Sequence, residues 1–411
     1  MIRIISEEEA PTVLGRSVDR VGEAMGVSAP IVADVRLRGD EALKEYRQRF
    51  DLVALDEPLY LDAGGELEAD LQQAVEQASR NIQSFAEAQL VTSWMSEFSD
   101  GRSLGQVVRP LNSVGVYVPA GRYPLISTLL MAVIPAQVAG VPNIVVACPH
   151  PSREILAVAK MLGVKQILHA GGAQAIAAMA YGTESVKPVQ RIVGPGNAYV
   201  AAAKKLVSQD VAIDFVAGPS EILIVASQGN AQWIAADMLA QAEHDVDARA
   251  ILLTTDKEFA LRVQAEIEIQ LSSLSTAQIA QQAIIENSAI VVCDTTDSAF
   301  DLVNTIAPEH LSVEQKGDVE RVNSAGSIFV GQYSTEAAGD YASGPNHILP
   351  TSGNAAVRGG LSVNDFVKVI TVQELSKTAL RELEPAVTAL ARAEGLEAHA
   401  RSVETRNDAT A

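Results

Sequence analysis

The stretch NIVVACPHPSREILAVAKMLGVKQILHAGGAQAIAAMAYG, residues 143–182, decides the fold class of this chain. It places an apolar run at Ile144–Ala147 before a segment of helical spacing at Ser152–Leu162, and it repeats that order with Gln166–Leu168 and Ala173–Tyr181. Short runs rich in Val and Ile that alternate with helices are typical of parallel sheets covered by helices on both faces. The stretch therefore predicts a strand–helix–strand–helix unit.

The same alternation continues on both sides of this unit. Further strands are predicted at Val114–Val118, Arg191–Val193, Ile213–Phe215, Ile222–Ala226, Ala250–Leu253 and Ala289–Val292, and further helices at Ser127–Ala139, Ala198–Val207, 231–243, 257–271 and 296–306. A break near Ala217-Gly-Pro-Ser220 divides the series in two. We therefore predict an α/β protein with two tandem α/β domains, each built on a parallel sheet of an incomplete Rossmann-like kind.

The two ends of the chain differ from this pattern. Residues 66–90 carry apolar side chains at helical spacing, which predicts one long amphipathic helix. Residues after Gly359 indicate a small, mainly helical tail over Ser362–Val367 and Ser376–Glu394. The predicted domains are an N-terminal helical segment (1–116) that packs with the second α/β domain, a first α/β domain (117–219), a second (220–359) and a small C-terminal helical domain (360–411).

Composition excludes several classes of function. The chain has 411 residues with 51 acidic and 31 basic side chains, a formal charge of −20, which argues against nucleic acid or an anionic membrane surface as partner. Two cysteines cannot form a disulfide framework, so a reducing compartment is expected. The N-terminus turns acidic too early for a secretory signal, and no apolar run is long enough to span a bilayer. We therefore expect a cytoplasmic enzyme.

Two glycine-rich turns follow predicted strands. Gly171-Gly-Ala-Gln174 and Gly194-Pro-Gly-Asn197 both stand where a strand meets a helix. Free N–H groups at such turns bind anionic ligands such as nucleotide phosphates. The second turn reads Gly-x-Gly-x-x-Tyr and so lacks the last glycine of the dinucleotide fingerprint. The turns are consistent either with ordinary tight turns or with a nucleotide site.

Two further motifs combine polar and imidazole groups. Gln241 and His244 lie three residues apart near the end of a predicted helix, so both can face one ligand, although a histidine there can equally be a helix cap. Glu309 and His310 stand side by side before an apolar strand. An acid and an imidazole in such a loop can transfer protons in one pocket, or the loop can simply face solvent.

Carboxylates and imidazoles recur in two later segments. Asp340 and His347 share a glycine-flanked polar loop, and Glu394 and His399 lie in the tail. These side chains suit zinc, but each also has an ordinary solvent-facing explanation. Cys148 and Cys293 both end apolar strands, which indicates buried thiols rather than nucleophiles.

Taken together, these segments resemble the histidinol dehydrogenase family. The matching motifs, in order, are Val114-Gly-Val-Tyr-Val-Pro, Gly171-Gly-Ala-Gln-Ala-Ile-Ala-Ala, Ile192-Val-Gly-Pro-Gly-Asn, Ala217-Gly-Pro-Ser-Glu-Ile, Gln241-Ala-Glu-His-Asp, Ala307-Pro-Glu-His-Leu, Gly339-Asp-Tyr-Ala-Ser-Gly-Pro-Asn-His, Gly360-Leu-Ser-Val-Asn-Asp-Phe and Glu394-Gly-Leu-Glu-Ala-His. They cover most of the chain except its first hundred residues.

The resemblance implies an enzyme that oxidises L-histidinol to L-histidine through L-histidinal, the last steps of histidine biosynthesis, with NAD and one zinc ion per subunit. It implies zinc ligands Gln241, His244, Asp340 and His399, an acid–base pair Glu309 and His310, further substrate contacts from Ser220, His347 and Glu394, and dinucleotide contacts from Tyr117, Gln174 and Asn197. The zinc ligands and His310 would also touch the substrate. It further implies a homodimer whose C-terminal tail crosses over, so that Glu394 and His399 serve the partner's site.

General chemistry agrees with these roles. A hydride leaves an alcohol readily only as the hydroxyl proton departs, and imidazole is a suitable base near neutral pH, which fits His310. The aldehyde must then add water before a second hydride leaves, and a carboxylate such as Glu309 can activate that water. Zinc can anchor and orient the substrate.

Other functions stay open at this stage. Ala120-Gly121 departs from the Gly-Gly of many family members, Arg122-Tyr123 follows it, and some relatives oxidise other small alcohols such as sulfonated diols. A zinc hydrolase in which Glu309 activates metal-bound water would need no NAD. A catalytically silent binding module would leave the polar motifs unexplained. His150 and His169 receive no role.

Overall fold

The computed structural model describes residues 1–14, 20–119, 125–216 and 218–408. The first half contains β1 (Arg3–Ser6), α1 (Ala10–Val13), α2 (Arg20–Arg38), α3 (Asp40–Asp51), β2 (Tyr60–Asp62), α4 (Ala69–Gln89), β3 (Trp94–Glu97), β4 (Arg102–Pro110), β5 (Ser113–Tyr117), α5 (Ile126–Val138), β6 (Asn143–Ala147), α6 (Arg153–Met161), β7 (Gln166–Leu168), α7 (Gly172–Tyr181), β8 (Arg191–Val193), α8 (Ala198–Val207) and β9 (Ala212–Ile213).

The second half contains β10 (Glu221–Val225), α9 (Ala231–Ala242), β11 (Arg249–Thr254), α10 (Lys257–Leu271), α11 (Ala277–Glu286), β12 (Ala289–Val292), α12 (Thr296–Ile306), β13 (His310–Val313), β14 (Ser327–Val330), α13 (Glu336–Tyr341), β15 (Val367–Leu375), α14 (Lys377–Ala393) and α15 (Glu397–Asp408). Within the described residues, no helix combines the length and the apolar run that crossing a bilayer needs.

The first sheet has the strand order β2-β7-β6-β5-β8-β9. Its strands run parallel except β2, which pairs antiparallel with β7 at the edge. Helices α4, α5 and α6 contribute to the core on one face, and α2, α3, α7 and α8 to the core on the other. The chain proceeds from β5 to β6 and β7 on one side and returns to β8 on the other, so the topological switch point lies between β5 and β8.

The second sheet has the order β1-β12-β11-β10-β13-β14, and all its pairings are parallel. Helices α9, α10 and α11 cover one face, and α1 and α12 cover the other. Here the order reverses between β10 and β13. The two predicted parallel sheets and the α/β fold class are therefore confirmed.

The N-terminal segment is divided between the two sheets. Strand β1 pairs with β12 of the second sheet. Helix α4, which we expected to pack against the second domain, instead packs on α5 beside the first sheet. That expectation is wrong because α5 is buried on nearly all sides and needs an apolar cover, which Val75, Ala78 and Ile82 of α4 provide.

The described chain separates into two compact units. Met1–Gln89 and Leu111–Phe366 form the first, with both six-stranded sheets, and Leu90–Pro110 with Val367–Ala411 form the second. The second unit contains an antiparallel sheet in the order β15-β4-β3 and the helices α14 and α15. The tail after Gly359 contains the helices α14 and α15, as expected of a mainly helical segment, and it also contains β15, which pairs along its full length with β4, a strand more than 250 residues earlier in the chain.

Candidate functional site

The predicted acid–base pair lies at the amino edge of the second sheet, at its switch point. His310 is the first residue of β13 and stands opposite Ile222 of β10. The Glu309 Oε2 atom accepts a hydrogen bond of 2.8 Å from the backbone N–H of Glu221. The His310 Nδ1 atom lies 3.2 Å from the Glu221 carbonyl oxygen. The backbone of β10 thus positions both side chains.

A left-handed residue directs the chain into this pair. Helix α12 ends at Ala307, which is buried and has φ 51° and ψ 66°, and its N–H donates to the Val303 carbonyl at 2.8 Å. A single left-handed residue commonly ends a helix and reverses the chain direction. Pro308 follows and cannot continue the helix, so Glu309 and His310 enter the sheet directly.

Helix α13 adds two carboxylates to the same place. Glu336 and Asp340 are four residues apart and share one helix face. Glu336 Oε1 lies 3.5 Å from His310 Nδ1, and Asp340 Oδ1 lies 3.5 Å from His310 Nε2. One ligand-type atom from each of the three residues falls within 4.8 Å of the others, and all three are buried. The imidazole therefore sits between two buried carboxylates.

Gln241 contributes a buried amide without partners. It is fully buried in the last turn of α9, and neither of its amide atoms has a hydrogen-bond partner among the described residues. Helix α9 packs on α13, which carries Asp340. An unsatisfied buried amide costs about 1–3 kcal/mol, so a bound cation coordinated by the amide oxygen would remove part of that cost. The amide oxygen of Gln241 and the buried carboxylate of Asp340 are oxygen donors that fit a metal ion.

His244 and His347 lie near the same carboxylate. His244 is exposed, yet it lies close enough to Asp340 to help lower the pKa of that carboxyl. His347 Nδ1 lies 2.8 Å from the Asp340 carbonyl oxygen, and its Nε2 lies 3.4 Å from Thr128 Oγ1 on α5. The adjacent Asn346 donates to the Met131 carbonyl of α5 at 2.6 Å. This loop connects the site with the first sheet.

Burial and charge alter the acidity of the cluster. Burial raises the pKa of Glu309 to about 8 and that of Glu336 to about 8. Burial alone would lower the pKa of His310, but the charges of Glu336, Glu309 and Asp340 outweigh it and raise that pKa to about 10. For Asp340, burial is outweighed by the hydrogen bond and charge of His310, so its pKa is lowered. Such coupled groups can hold and exchange protons within one pocket.

The predicted dinucleotide contacts lie at the carboxyl edge of the first sheet. The Tyr117 hydroxyl accepts a hydrogen bond of 3.1 Å from the Gly172 N–H. Gln174 donates to Asp51 Oδ2 at 3.2 Å. The Asn197 Oδ1 atom caps α8 by accepting from the N–H groups of Tyr199 and Val200, both at 3.1 Å. Tyr117 ends β5 and Asn197 follows β8, the two strands on either side of the switch point, whereas Gln174 lies in α7, which follows β7.

Three acidic side chains that received no role from the sequence contact residues of the candidate sites. Asp51 accepts a 2.9 Å hydrogen bond from the Gly171 N–H and so holds the first glycine turn. Glu221 accepts from the Ser352 N–H at 3.1 Å and lies 3.5 Å from Arg249. Glu336 faces His310. A sequence signal existed for Glu336, since it stands four residues before Asp340 and directly after Thr335, which caps the helix. Glu221 belongs to the Ala217-Gly-Pro-Ser-Glu-Ile motif but received no role there, and Asp51 carried no such signal.

The remaining predicted residues are Ser220, two residues of the second unit, and positions outside the described ranges. Ser220 is half-buried and directly precedes β10. Glu394 ends α14 and His399 lies in α15, both in the second unit. The Ala120-Gly121 and Arg122-Tyr123 positions lie outside the described residues, as does Ala217.

Cysteines and the two unassigned histidines show no reactive arrangement. Cys148 and Cys293 are buried, and burial raises the pKa of each thiol to about 12. The rings of His150 and His169 meet edge to face at 6.1 Å, and the buried Nδ1 of His169 has no hydrogen-bond partner among the described residues. A thiol-dependent oxidation is therefore not supported by this geometry.

Comparison with known proteins gives a consistent result. The family model for histidinol dehydrogenase matches residues 15–407. The chain is 48% identical to a histidinol dehydrogenase of Geobacillus kaustophilus over 391 residues, which cover 92% of each protein. It is 44% identical to that of Methanothermobacter thermautotrophicus, with 94% of each covered. A crystal structure of histidinol dehydrogenase from Elizabethkingia anophelis superposes with a TM-score of 0.94, 36% identity and 98% coverage of both chains. This chain therefore belongs to the histidinol dehydrogenase family.

Proposed function

We propose that the protein oxidises L-histidinol to L-histidine in two successive NAD-dependent hydride transfers, with L-histidinal held between them. The observation that carries the proposal is the buried imidazole of His310, placed between Glu336 and Asp340 and next to Glu309. Membership of the family supplies the reaction, and this cluster supplies groups that can perform its proton transfers.

His310 is proposed as the base for both oxidation steps; because its pKa is raised to about 10, it would act from the fraction of molecules in which the ring has released its proton, and that fraction grows as the pH rises. Its Nδ1 faces a backbone carbonyl and Glu336, so its Nε2, which lies 3.5 Å from Asp340 Oδ1, is proposed as the atom that meets a substrate hydroxyl. A neighbouring carboxylate stabilises the imidazolium that forms when the ring takes a proton. Glu309 is proposed to accept a proton from the water that adds to the aldehyde, which it can do in its ionised form, favoured above its raised pKa of about 8, and its hydrogen bond from Glu221 keeps it beside the ring. His347 and Ser220 would contact the substrate.

Gln241, His244 and Asp340, together with His399, are proposed as the zinc ligands, at one zinc ion per subunit. The unpartnered amide of Gln241 and the buried Asp340 support this set. When bound, zinc would polarise and orient the substrate, and NAD would accept the hydride. Tyr117, Gln174 and Asn197 are proposed to contact NAD. Tyr117 and Asn197 lie at the carboxyl ends of the two strands that flank the switch point of the first sheet, where such folds bind ligands. The Tyr117 hydroxyl is hydrogen-bonded to the N–H of Gly172 in the first turn of the helix that carries Gln174.

A homodimer is proposed in which Glu394 and His399 complete the partner's site. The second unit exposes large apolar side chains that would suit such an interface, namely Trp94, Met95, Phe98, Val369, Ile370 and Leu390. The domain over residues 117–219 would bind NAD, and that over 220–359 would carry most zinc ligands and catalytic groups.

One assay tests the proposed reaction. NADH absorbance is followed with L-histidinol as substrate, with and without a chelator, and with a panel of sulfonated diols in parallel. We expect two NADH per histidinol, loss of turnover with the chelator, and restoration by added zinc. Absence of NADH with histidinol would contradict the proposal. Turnover of a diol instead would assign the site to a related alcohol dehydrogenase.

A further inference from the structure

A buried ion pair lies behind the second glycine turn. Lys204 projects from α8 and is only 2% exposed, and Asp214 follows β9 and is only 3% exposed. The Lys204 ammonium and the Asp214 carboxylate are in direct contact. Sequence analysis gave neither residue a role, and neither belongs to the cluster around His310.

Both charges are bonded to the same glycine. The Lys204 Nζ donates to the Gly194 carbonyl at 2.9 Å. The Asp214 Oδ2 atom accepts from the Gly194 N–H at 2.8 Å, and its Oδ1 accepts from the Phe215 N–H at 2.6 Å. The carbonyl and the N–H of Gly194 are thus hydrogen-bonded to the ammonium of Lys204 and the carboxylate of Asp214, and these two charged groups also form an ion pair with each other.

Gly194 occupies a place that no other residue fits. Its φ is 113°, a conformation that side-chain-bearing residues rarely adopt, and a Cβ atom there would lie 2.1 Å from the Tyr117 carbonyl oxygen. The turn therefore packs directly on the end of β5, beside the switch point. A displacement of Gly194 would move Pro195, Gly196 and Asn197 relative to Tyr117.

Stability alone does not explain a buried ion pair at this position. Removing two charges from water costs free energy that their attraction offsets only partly, and well-packed apolar residues of similar volume often stabilise a protein as well or better. What the pair supplies is a defined backbone geometry, because its charge-assisted hydrogen bonds are short and directional.

We propose that Lys204 and Asp214 are positioning residues that hold the Gly194-Pro-Gly-Asn197 turn in the shape that receives the dinucleotide. This inference rests on the proposed function, in which NAD binds at this edge of the first sheet. It adds that the affinity for the dinucleotide depends on an ion pair that acts only through the backbone of the turn.

The test compares Lys204→Met with Arg191→Met. Arg191 begins β8, the strand that leads into the turn, and its ion pair with Asp365 at 2.6 Å lies at the opposite end of that strand. Steady-state kinetics with NAD and histidinol, zinc content and Tm are measured for both variants. We expect Lys204→Met to raise the KM for NAD by roughly ten- to a hundredfold with the KM for histidinol and the zinc content unchanged. We expect Arg191→Met to lower Tm without changing the KM for NAD.

Asp214→Asn is the second variant, in case Lys204→Met does not fold. Asparagine has the same shape as aspartate, but an NH2 group replaces one of the two oxygen atoms. That NH2 group would face the backbone N–H of Gly194 or of Phe215 and could not accept its hydrogen bond, so the same selective rise in the KM for NAD is expected. An unchanged KM for NAD in a folded Lys204→Met or Asp214→Asn would overturn the inference.

Asn197→Ala separates this inference from the proposed function. If Asn197→Ala and both ion-pair variants all leave the KM for NAD unchanged while the wild type produces NADH, the dinucleotide does not bind at this turn and the inference is overturned. If wild type produces no NADH with histidinol, the reaction itself has been assigned wrongly. If the KM for NAD rises in Asn197→Ala but not in the two ion-pair variants, the dinucleotide binds at this turn but the ion pair does not position it.

Discussion

His310 acquires its properties from residues that are distant in the chain. Glu336 faces its Nδ1, Asp340 faces its Nε2, and the carbonyl of Glu221 fixes the ring from the neighbouring strand. A base in this position is typically worth about 10²–10⁴-fold in rate. We therefore expect His310→Ala to lose most of its turnover while it retains zinc, since His310 is not one of the proposed ligands. Steady-state kinetics and metal analysis check this, and normal turnover would reject the assignment.

Glu336 should matter through its charge rather than its size. Glu336→Gln keeps the shape of the side chain but removes the negative charge that Glu336 can carry next to His310 Nδ1 when the ring holds a proton, so the imidazolium loses a stabilising partner. We expect kcat to fall by roughly ten- to a thousandfold with zinc retained. The control is Glu314→Gln, a partly buried carboxylate just past the opposite end of β13, which should leave kcat unchanged. Equal kcat values for the two variants would contradict this role.

The cysteines provide a separate residue-scale prediction. With the pKa of each thiol raised to about 12 by burial, only about one in 10⁴ molecules carries a thiolate at pH 8. Because the thiolate is the reactive form, iodoacetamide at pH 8 should leave activity intact over a period in which it fully alkylates the denatured chain. Mass spectrometry of native and denatured samples measures the modification. Rapid inactivation together with alkylation of Cys148 would show that this thiol is reactive.

At the scale of elements, the turn that ends α12 contains a strained residue, Ala307, just before Glu309 and His310. Ala307 has φ 51°, which costs a residue with a side chain about 1–2 kcal/mol relative to glycine. Ala307→Gly should therefore raise the free energy of unfolding by about 1 kcal/mol. Ala139→Gly is the matched control: this residue ends α5 with an ordinary φ of −66°, so glycine there should lower stability by up to about 1 kcal/mol. Chemical denaturation measures both, and destabilisation by Ala307→Gly would show that the backbone there is not strained.

The elements also explain where the sites lie. The proposed NAD contacts follow the carboxyl ends of the first sheet, as parallel α/β folds favour, whereas Glu221 and His310 begin their strands at the amino edge of the second sheet. The loop with Asn346 and His347 bonds to α5, which starts at the carboxyl edge of the first sheet. The carboxyl edge of the first sheet and the amino edge of the second sheet are thereby brought to one region of the first unit.

At the scale of the whole molecule, shared active sites make a specific prediction. His310→Ala and His399→Ala homodimers should each have low activity, but a mixed dimer would contain one site with both histidines. Full exchange of subunits would make half of the dimers mixed, each with one intact site of two, so mixing should restore about a quarter of wild-type activity. Activity is measured after co-refolding equal amounts of the two variants. Activity no higher than the mean of the two variants would show that His399 does not act in the partner's site.

Much of this protein could be predicted from residues alone. Val- and Ile-rich runs between helices predicted both parallel sheets, and the structure confirms them, because strand and helix periodicity is a local property. The motifs also indicated the pair Glu309 and His310 and the candidate ligands Gln241 and Asp340, because each belongs to a short segment of recognisable chemistry.

Tertiary structure decided the rest. The packing of α4 on α5, the pairing of β15 with β4, the placement of Glu336 and Glu221 around His310, and the ion pair behind Gly194 all join residues far apart in the chain. Such contacts depend on which surfaces remain to be covered once the sheets form, and no local pattern encodes that. The sequence by itself therefore determined the fold class and the types of reactive group, and only the folded chain determined their neighbours, because burial and proximity set the pKa, orientation and partners of every group in the site.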